Sequence, residues 1–442
     1  MFTIDKNIEL TTELLEKMIN RFVMNEQPKL IKRKNYYDGK HQILNKTYKD
    51  KTKTCNRIVT NFCKVIVDAY GGYICGKPIS YTSNEDISAI QEVINYNDAN
   101  AEDVQLLTDA LIYGVAYELQ WLDSYSQVRF ATVNPMNAFC IYDNTLDKEL
   151  LYFVRWYKED NFDDTDVYYF NVYSKDVIRT YKSSGISGAL SLVDEQIHYH
   201  KDVPVSVFKL NEDGVNIFDN ITTLNDAYNE LISCEVDDYS GWCDAYLTLT
   251  SADINAEDIQ TMKENRVLVL PEGASASWLT KNASNTQIVN MLDNIKKNIY
   301  RVANCPDMSD ENFAGGVSSG VSISFKLTNF ENVSSGIVAR MTKAIQRRIE
   351  LISNILELKA TDTIWRDINI SFTRNLPVNT QETVQLVNSL HGIVSDKTLL
   401  AQIPFVDDVE CELEALQKQK EENMAIYSFG TVTEDDEDGE EE

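Results

Sequence analysis

Apolar residues return every three or four positions from Thr11 to Val23, where Leu14, Met18 and Phe22 are joined by Leu15, Ile19 and Val23, so the spacing predicts an amphipathic helix. A second helix is expected from Pro28, suited to a first helical turn, to Gly39, suited to the position just past an end. Val59, Cys63, Ile66, Val67 and Tyr70 mark a third, closed by Gly71 and Gly72. Ser83 and Asp86 have capping-box spacing ahead of a fourth that carries Ile87, Ile90 and Ile94. The chain therefore reads as helical up to about Gly114.

From Val115 to Leu210 the pattern changes to short aromatic and β-branched runs, LLYFVRW, DVYYFNVY and VPVSVFKL, broken by polar turns, which predicts strands. Asp213-Gly214 ends that region. A helix of about seven turns is then expected to reach Trp242, with Phe218, Ile221, Leu224, Tyr228, Leu231 and Ile232 on one side. The strand candidates LTLTS, RVLVLP and ASWLT follow, with a short helix at Glu257–Lys263 between the first two. Ile288, Met291, Leu292, Ile295, Ile299 and Val302 form another helical stripe, which Cys305-Pro306 terminates. Asp307–Gly320 reads as a mobile loop, and Val321 to about Leu358 as one long helix in which only Gly336 offers a kink. DINISF at 367–372 is a strand candidate, and helices are expected at about 380–390, 396–403 and 407–426, the middle one capped by Ser395.

At 442 residues the chain has room for several packed units, and 43% hydrophobic content supports large cores. A net charge of −28 argues against a surface that grips nucleic acid. Eight of the nine residues Glu434–Glu442 are acidic and nothing there can be buried, so the tail is expected to be disordered. Lys29–Arg57 holds ten Lys or Arg against Asp38 and Asp50. This basic island reads as a solvated surface, the alternative being a patch for an acidic partner. No apolar stretch approaches a membrane span, and Asp5, Lys6 and Glu9 stand where a signal peptide would be apolar, so a soluble intracellular protein is expected.

The eight cysteines are scattered and never form CxxC, which suits reduced, packed thiols and no metal site. His198 and His200 flank Tyr199 and read as a solvated strand face. Gly316-Val317-Ser318-Ser319-Gly320 matches the nucleophile elbow G-x-S-x-G, with Asp367 and His391 in the right order downstream. The preceding DMSDENFAG, however, is not the buried strand that motif requires. Gly39-Lys40 and Gly76-Lys77 lack the glycine spacing of a phosphate-binding loop. No enzyme and no cofactor is expected.

Four segments taken in order carry a resemblance: NYYDGKHQI at 35–43, NRIVTNFCKVIVDAYGGYICGKPISY at 56–81, PDMSDENFAGGVSSGVSISFKL at 306–327, and RNLPVNTQETVQLVNSLHGIVSDKTLLAQIPFVDDVECELEAL at 374–416. Together the chain resembles the bacteriophage portal proteins of the SPP1 type over about residues 10 to 425. One departure is Val321-Ser322, where the family has an alanine after its Ser-Gly pair. The resemblance implies an α+β portal-type fold. Its parts would be a helical (1–114) and a β-rich (115–215) wing, stem helices at 216–244 and 284–304, and a small α/β clip at 245–283. A tunnel loop and long wing helix would occupy 305–366, a helical crown 367–430, and an acidic tail 431–442.

The resemblance further implies a ring, typically of twelve subunits, at the capsid vertex of a virion assembled in the bacterial host cytoplasm. Double-stranded DNA would enter and leave through it. The implied partners are the terminase large subunit, the major capsid and scaffolding proteins and a head-completion adaptor, with no membrane. Within the tunnel loop, Asp307, Asp310 and Glu311 would repel phosphate, Phe313 would anchor, and Gly315, Gly316 and Gly320 would act as hinges. Lys296, Lys297 and Arg301 would form basic rings in the channel if they face it. Asp253, Glu257, Asp258 and Lys263 would dock the packaging motor. The alternatives are another phage head-morphogenesis protein or a serine hydrolase using Ser318.

Overall fold

Thr11 is extended, and its hydroxyl accepts the Leu14 N–H at 3.3 Å, which starts α1 (Thr12–Asn25) with Leu15, Met18, Ile19 and Phe22 buried. α2 (Gln27–Tyr37) carries Pro28 in its first turn as expected. The structure, a computed structural model, describes residues 2–49, 54–159, 166–242, 246–250, 275–279, 285–308, 320–358 and 365–375, and scattered positions from 385 to 419. The chain divides into Met1–Asn375 and Leu376–Glu442. In the second unit a short helix at Asp396–Leu400 buries Leu399 and follows Ser395, whose carbonyl accepts the Thr398 N–H at 3.0 Å.

In the first unit α3 (Phe62–Cys75) runs through Gly71 and Gly72 instead of closing there. A side chain at either glycine would meet open space, so each costs only its helix propensity, while Tyr73, Ile74 and Cys75 continue the buried face. The stop comes at Gly76, where a Cβ would lie 2.2 Å from the Gly72 carbonyl. The Ser83–Asp86 capping box does not form. Ser83 accepts the Glu85 N–H, Asp86 accepts the Ser88 N–H, and α4 (Ser88–Tyr96) begins after Ile87. α5 (Ala99–Tyr113) ends where expected, at Gly114 with φ +84°, whose missing Cβ would fall 2.2 Å from the Gly214 carbonyl.

The N-terminal part also contains two strands that three residues were too few to signal, β1 (Phe2–Ile4) and β2 (Ser80–Thr82). Beyond Gly114 come β3 (Val115–Leu122), β4 (Val128–Val133), β5 (Ala138–Asp143), β6 (Leu150–Glu159), β7 (Val167–Tyr173), β8 (Val177–Ser183), β9 (Ser191–Ile197) and β10 (Val205–Lys209). They form a six-stranded sheet, β1-β5-β6-β7-β8-β9, antiparallel except where β1 joins β5, and a three-stranded antiparallel sheet, β10-β3-β4. His198 and His200 do not sit on a solvated strand face. They follow β9, 5.6 Å apart between ring centres, and His200 is only 2% exposed. The loop turns them inward toward the long helix, where Asn354 donates to the His200 carbonyl at 2.9 Å.

α6 (Thr222–Trp242) starts six residues later than expected. Asn216 accepts the Phe218 and Asp219 N–H groups and donates to the Ile112 carbonyl, so Phe218 and Ile221 are buried in a turn ahead of the helix. β11 (Tyr246–Thr250) and β12 (Ser275–Leu279) pair antiparallel, and α7 (Asn285–Val302) and the uninterrupted α8 (Gly320–Leu358) match the periodic stripes. The strand expected at 367–372 is shorter, β13 (Asn369–Ser371), and pairs with β2.

α8 is pinned to β3 and α5 by Arg348, fully buried between Glu118 of β3 and Asp103 of α5, with Nε to Glu118 at 2.9 Å and Nη2 to Asp103 at 2.6 Å. Burial opposes the charge there, but the two carboxylates outweigh it and hold the guanidinium well above its ordinary pKa.

Candidate functional site

α6 and α7 form an antiparallel pair. The Phe62 ring lies 5.1 Å from Tyr228, early in α6, and 5.9 Å from Tyr300, late in α7, so one helix begins where the other ends. The β11–β12 ribbon leaves from the opposite end of that pair, with Tyr246 opposite Leu279 and Thr250 opposite Ser275. Tyr70 of α3 donates to the Ala303 carbonyl at 3.0 Å and fixes the end of α7 to the helical layer.

The residues that position α6 form a polar ladder. Asn225, Asn229, Ser233 and Asp237 stand every fourth position, hence on one face, and the first three are fully buried. Their side-chain oxygens accept alternate backbone N–H groups of the segment beside them. Asp237 takes Asn56 at 2.6 Å, Ser233 takes Ile58 at 3.0 Å, Asn229 takes Thr60 at 2.8 Å, and Asn225 takes Phe62 at 3.2 Å. Four helical residues rise about 6.0 Å and two extended residues about 6.7 Å, which is why the two periods stay in step over four rungs. Asn225 also donates to the Thr60 carbonyl, and the Asn229 amide meets His41 Nδ1 at 2.9 Å. His41 Nε2 then donates to the Tyr36 carbonyl, which fixes its tautomer.

The basic island is therefore only partly a solvated surface. Arg33 donates to the carbonyls of Tyr113 and Gly214 and to Asp219, and Lys46, 9% exposed at its side chain, reaches Asp237 at 3.4 Å and Cys234 at 3.2 Å. Burial raises the Asp237 carboxyl, but hydrogen bonds from the Asn56 backbone, Tyr48, the Asn56 side chain and Lys46 outweigh it and hold the pKa below the usual range. This set holds chain segments in register.

Of the three basic residues singled out on α7, Lys296 is tied to Asp307 at 2.8 Å, which also neutralises the first acid of the expected tunnel loop. Lys297 and Arg301 are exposed one turn apart. Gly320 is the first residue of α8. Asp310, Glu311, Phe313, Gly315, Gly316 and Ser318 lie outside the described residues, as do Asp253, Glu257, Asp258 and Lys263 and the tail. Cys63, Cys75, Cys140 and Cys305 are buried free thiols, and among the described residues no three ligating side chains cluster. No described helix is long and apolar enough to cross a membrane. The ladder escaped the sequence reading, although its signal was there: polar residues repeating every fourth position beside the apolar stripe.

The family described as "Phage portal protein, SPP1 Gp6-like" matches residues 21–425. The portal protein of Bacillus phage SPP1 is 24% identical over 452 aligned residues, covering 93% of this chain and 87% of that protein. The portal protein of Clostridium phage phiCD119 is 23% identical over 427, covering 90% and 93%. Among solved structures, the neck of a native GTA particle computed with C12 symmetry overlaps at a TM-score of 0.46 and 11% identity, over 77% of this chain and 88% of that one.

Proposed function

Because the chain belongs to the SPP1 Gp6-like family of phage portal proteins, we propose that it forms a ring, typically of twelve copies, at one vertex of the head. Double-stranded DNA is packaged and later ejected through that ring. The observation that carries this reading is the family match from residue 21 to 425, which takes in every element from α2 to the Asp396–Leu400 helix. The role is structural, not enzymatic, and is exercised in the virion after assembly in the bacterial cytoplasm. The partners are further copies of the chain, the terminase large subunit, the major capsid and scaffolding proteins, and a head-completion adaptor.

In this reading α6 and α7 are the stem, residues 245–283 the clip, 307–320 the tunnel loop, α8 the long wing helix, and 367–430 the crown. The antiparallel α6–α7 pair with a ribbon at its far end is the support for the stem and clip. Exposed Lys297 and Arg301 would face DNA, while a net charge of −28 limits the counterion release that would make DNA stick. Electron microscopy of the purified protein tests the whole. A ring with a central hole is expected, with a light-scattering mass many times 50.4 kDa. A strict monomer at all concentrations and salts would remove it.

Clip docking has its own test. Charge-reversing substitutions within Asp253–Lys263 should weaken binding of the terminase large subunit while rings still form. Unaltered binding would move the docking site elsewhere.

A further inference from the structure

Where the helical layer meets the two wing sheets there is a cavity of about 190 Å3 with aromatic walls: Phe2 of β1, Phe22 of α1, Tyr117 of β3, and Phe139 and Tyr142 of β5. Most charged groups on its lining are already engaged. Arg33 gives its donors to two carbonyls and Asp219, Glu26 pairs with Lys29 at 3.1 Å, Glu212 pairs with Arg340 at 3.0 Å, and Asp213 lies exposed to water. Lys209 of β10 differs. It is half-buried, its ammonium stands 4.7 Å from the centre of the Tyr142 ring, and among the described residues it has neither a hydrogen bond nor an ion pair. Burial pulls its pKa below the ordinary lysine value, against the pull of Cys140 and Glu212, and Lys148 and Lys343 push the same way as burial. An ammonium so placed lacks an anionic acceptor in a chain that otherwise carries an excess of acids.

We propose that this cavity binds a small monocyclic aromatic carboxylate, with its ring packed against the cavity side of the Phe2, Phe22, Phe139 and Tyr142 cluster and its carboxylate on the Lys209 ammonium. Size and wall chemistry select the class. A dry cavity of about 150 Å3 takes a benzene, so about 190 Å3 has room for one ring. The Phe139 ring already meets Phe2 at 4.9 Å and Phe22 at 5.3 Å, spacings at which a further ring adds offset or edge contacts. Lys148 and Lys343 add positive potential at the Lys209 ammonium. A bound ring would touch α1 and both sheets at once, and so would staple the wing.

The test is calorimetric titration of the full-length protein with benzoate, alongside toluene and cyclohexanecarboxylate. Saturable binding of one benzoate per chain is expected, with toluene and cyclohexanecarboxylate both weaker. Lys209→Met should weaken benzoate about tenfold or more, the loss of one charge-assisted hydrogen bond, and Lys209→Arg should restore it. No saturation by about 10 mM overturns the site. Toluene binding as tightly as benzoate, or a folded Lys209→Met that binds undiminished, overturns the anion assignment. If Lys209→Met fails to fold, the comparison of benzoate with toluene on the unmodified protein still decides. Ring formation, read separately by mass, stands or falls independently of this site.

Discussion

Neither ring nitrogen of His200 has a hydrogen-bond partner among the described residues, although the residue is almost wholly buried. The charged neighbour that acts on it is His198, 5.6 Å away between ring centres. Burial, then repulsion from His198, lowers its pKa from 6.5 to about 4. The neutral ring is thus the folded form, and the unfolded chain takes up the proton first as pH falls. Stability from this group is complete above pH 6.5 and is lost as pH drops toward 4, a difference of ~3 kcal/mol. Denaturant midpoints measured across that window should fall with pH in the native chain and fall less in His200→Leu. Parallel slopes in the two proteins would assign the acid sensitivity to other groups.

A helix can be legible on one face and silent on another, and α6 is the case in point. The apolar positions Leu224, Tyr228 and Leu231 announced it, but the ladder of Asn225, Asn229, Ser233 and Asp237 carried no hydrophobic signal. Its partner segment is held by side chains rather than by a regular backbone pattern that spacing could reveal. Gly71 and Gly72 misled for a related reason: they permit a stop without requiring one, and the helix runs on to Gly76, where an added Cβ would crowd the Gly72 carbonyl and the Asn375 side chain. By contrast α7 and α8, with long stripes and a proline or a glycine at one boundary, were readable nearly to the residue. Asn229→Ala leaves the Thr60 N–H and a nitrogen of buried His41 without a partner, and should cost ~2 kcal/mol or more in unfolding free energy. Because neighbouring rungs hold one strip of backbone, Asn229→Ala with Ser233→Ala should cost less than the two single changes together. Simple additivity in a double-mutant cycle would mean that the rungs act independently.

At the scale of the whole molecule, charge and connectivity meet at the segment between α7 and α8. Asp307 is held to Lys296 of α7, and Gly320 opens α8, so residues 308–319 connect the two helices. Composition showed an acidic chain, and the resemblance supplied the order of parts, but which charges are free could be read only from contacts. In the portal reading, with Asp307 neutralised, Asp310 and Glu311 would be left to repel phosphate across a channel, and Gly315 and Gly316 would let the backbone move as DNA passes. In the portal reading this segment touches DNA without capturing it. Deleting Ala314–Val317 removes both glycines and four residues of reach while sparing Asp307, Lys296 and the start of α8. Rings and procapsids should therefore assemble normally, while packaged DNA per procapsid should fall. If the shortened protein packages as much DNA as the native one, the glycines serve only a fixed turn into α8, and the sliding contact must be sought on Lys297 and Arg301 of α7 instead.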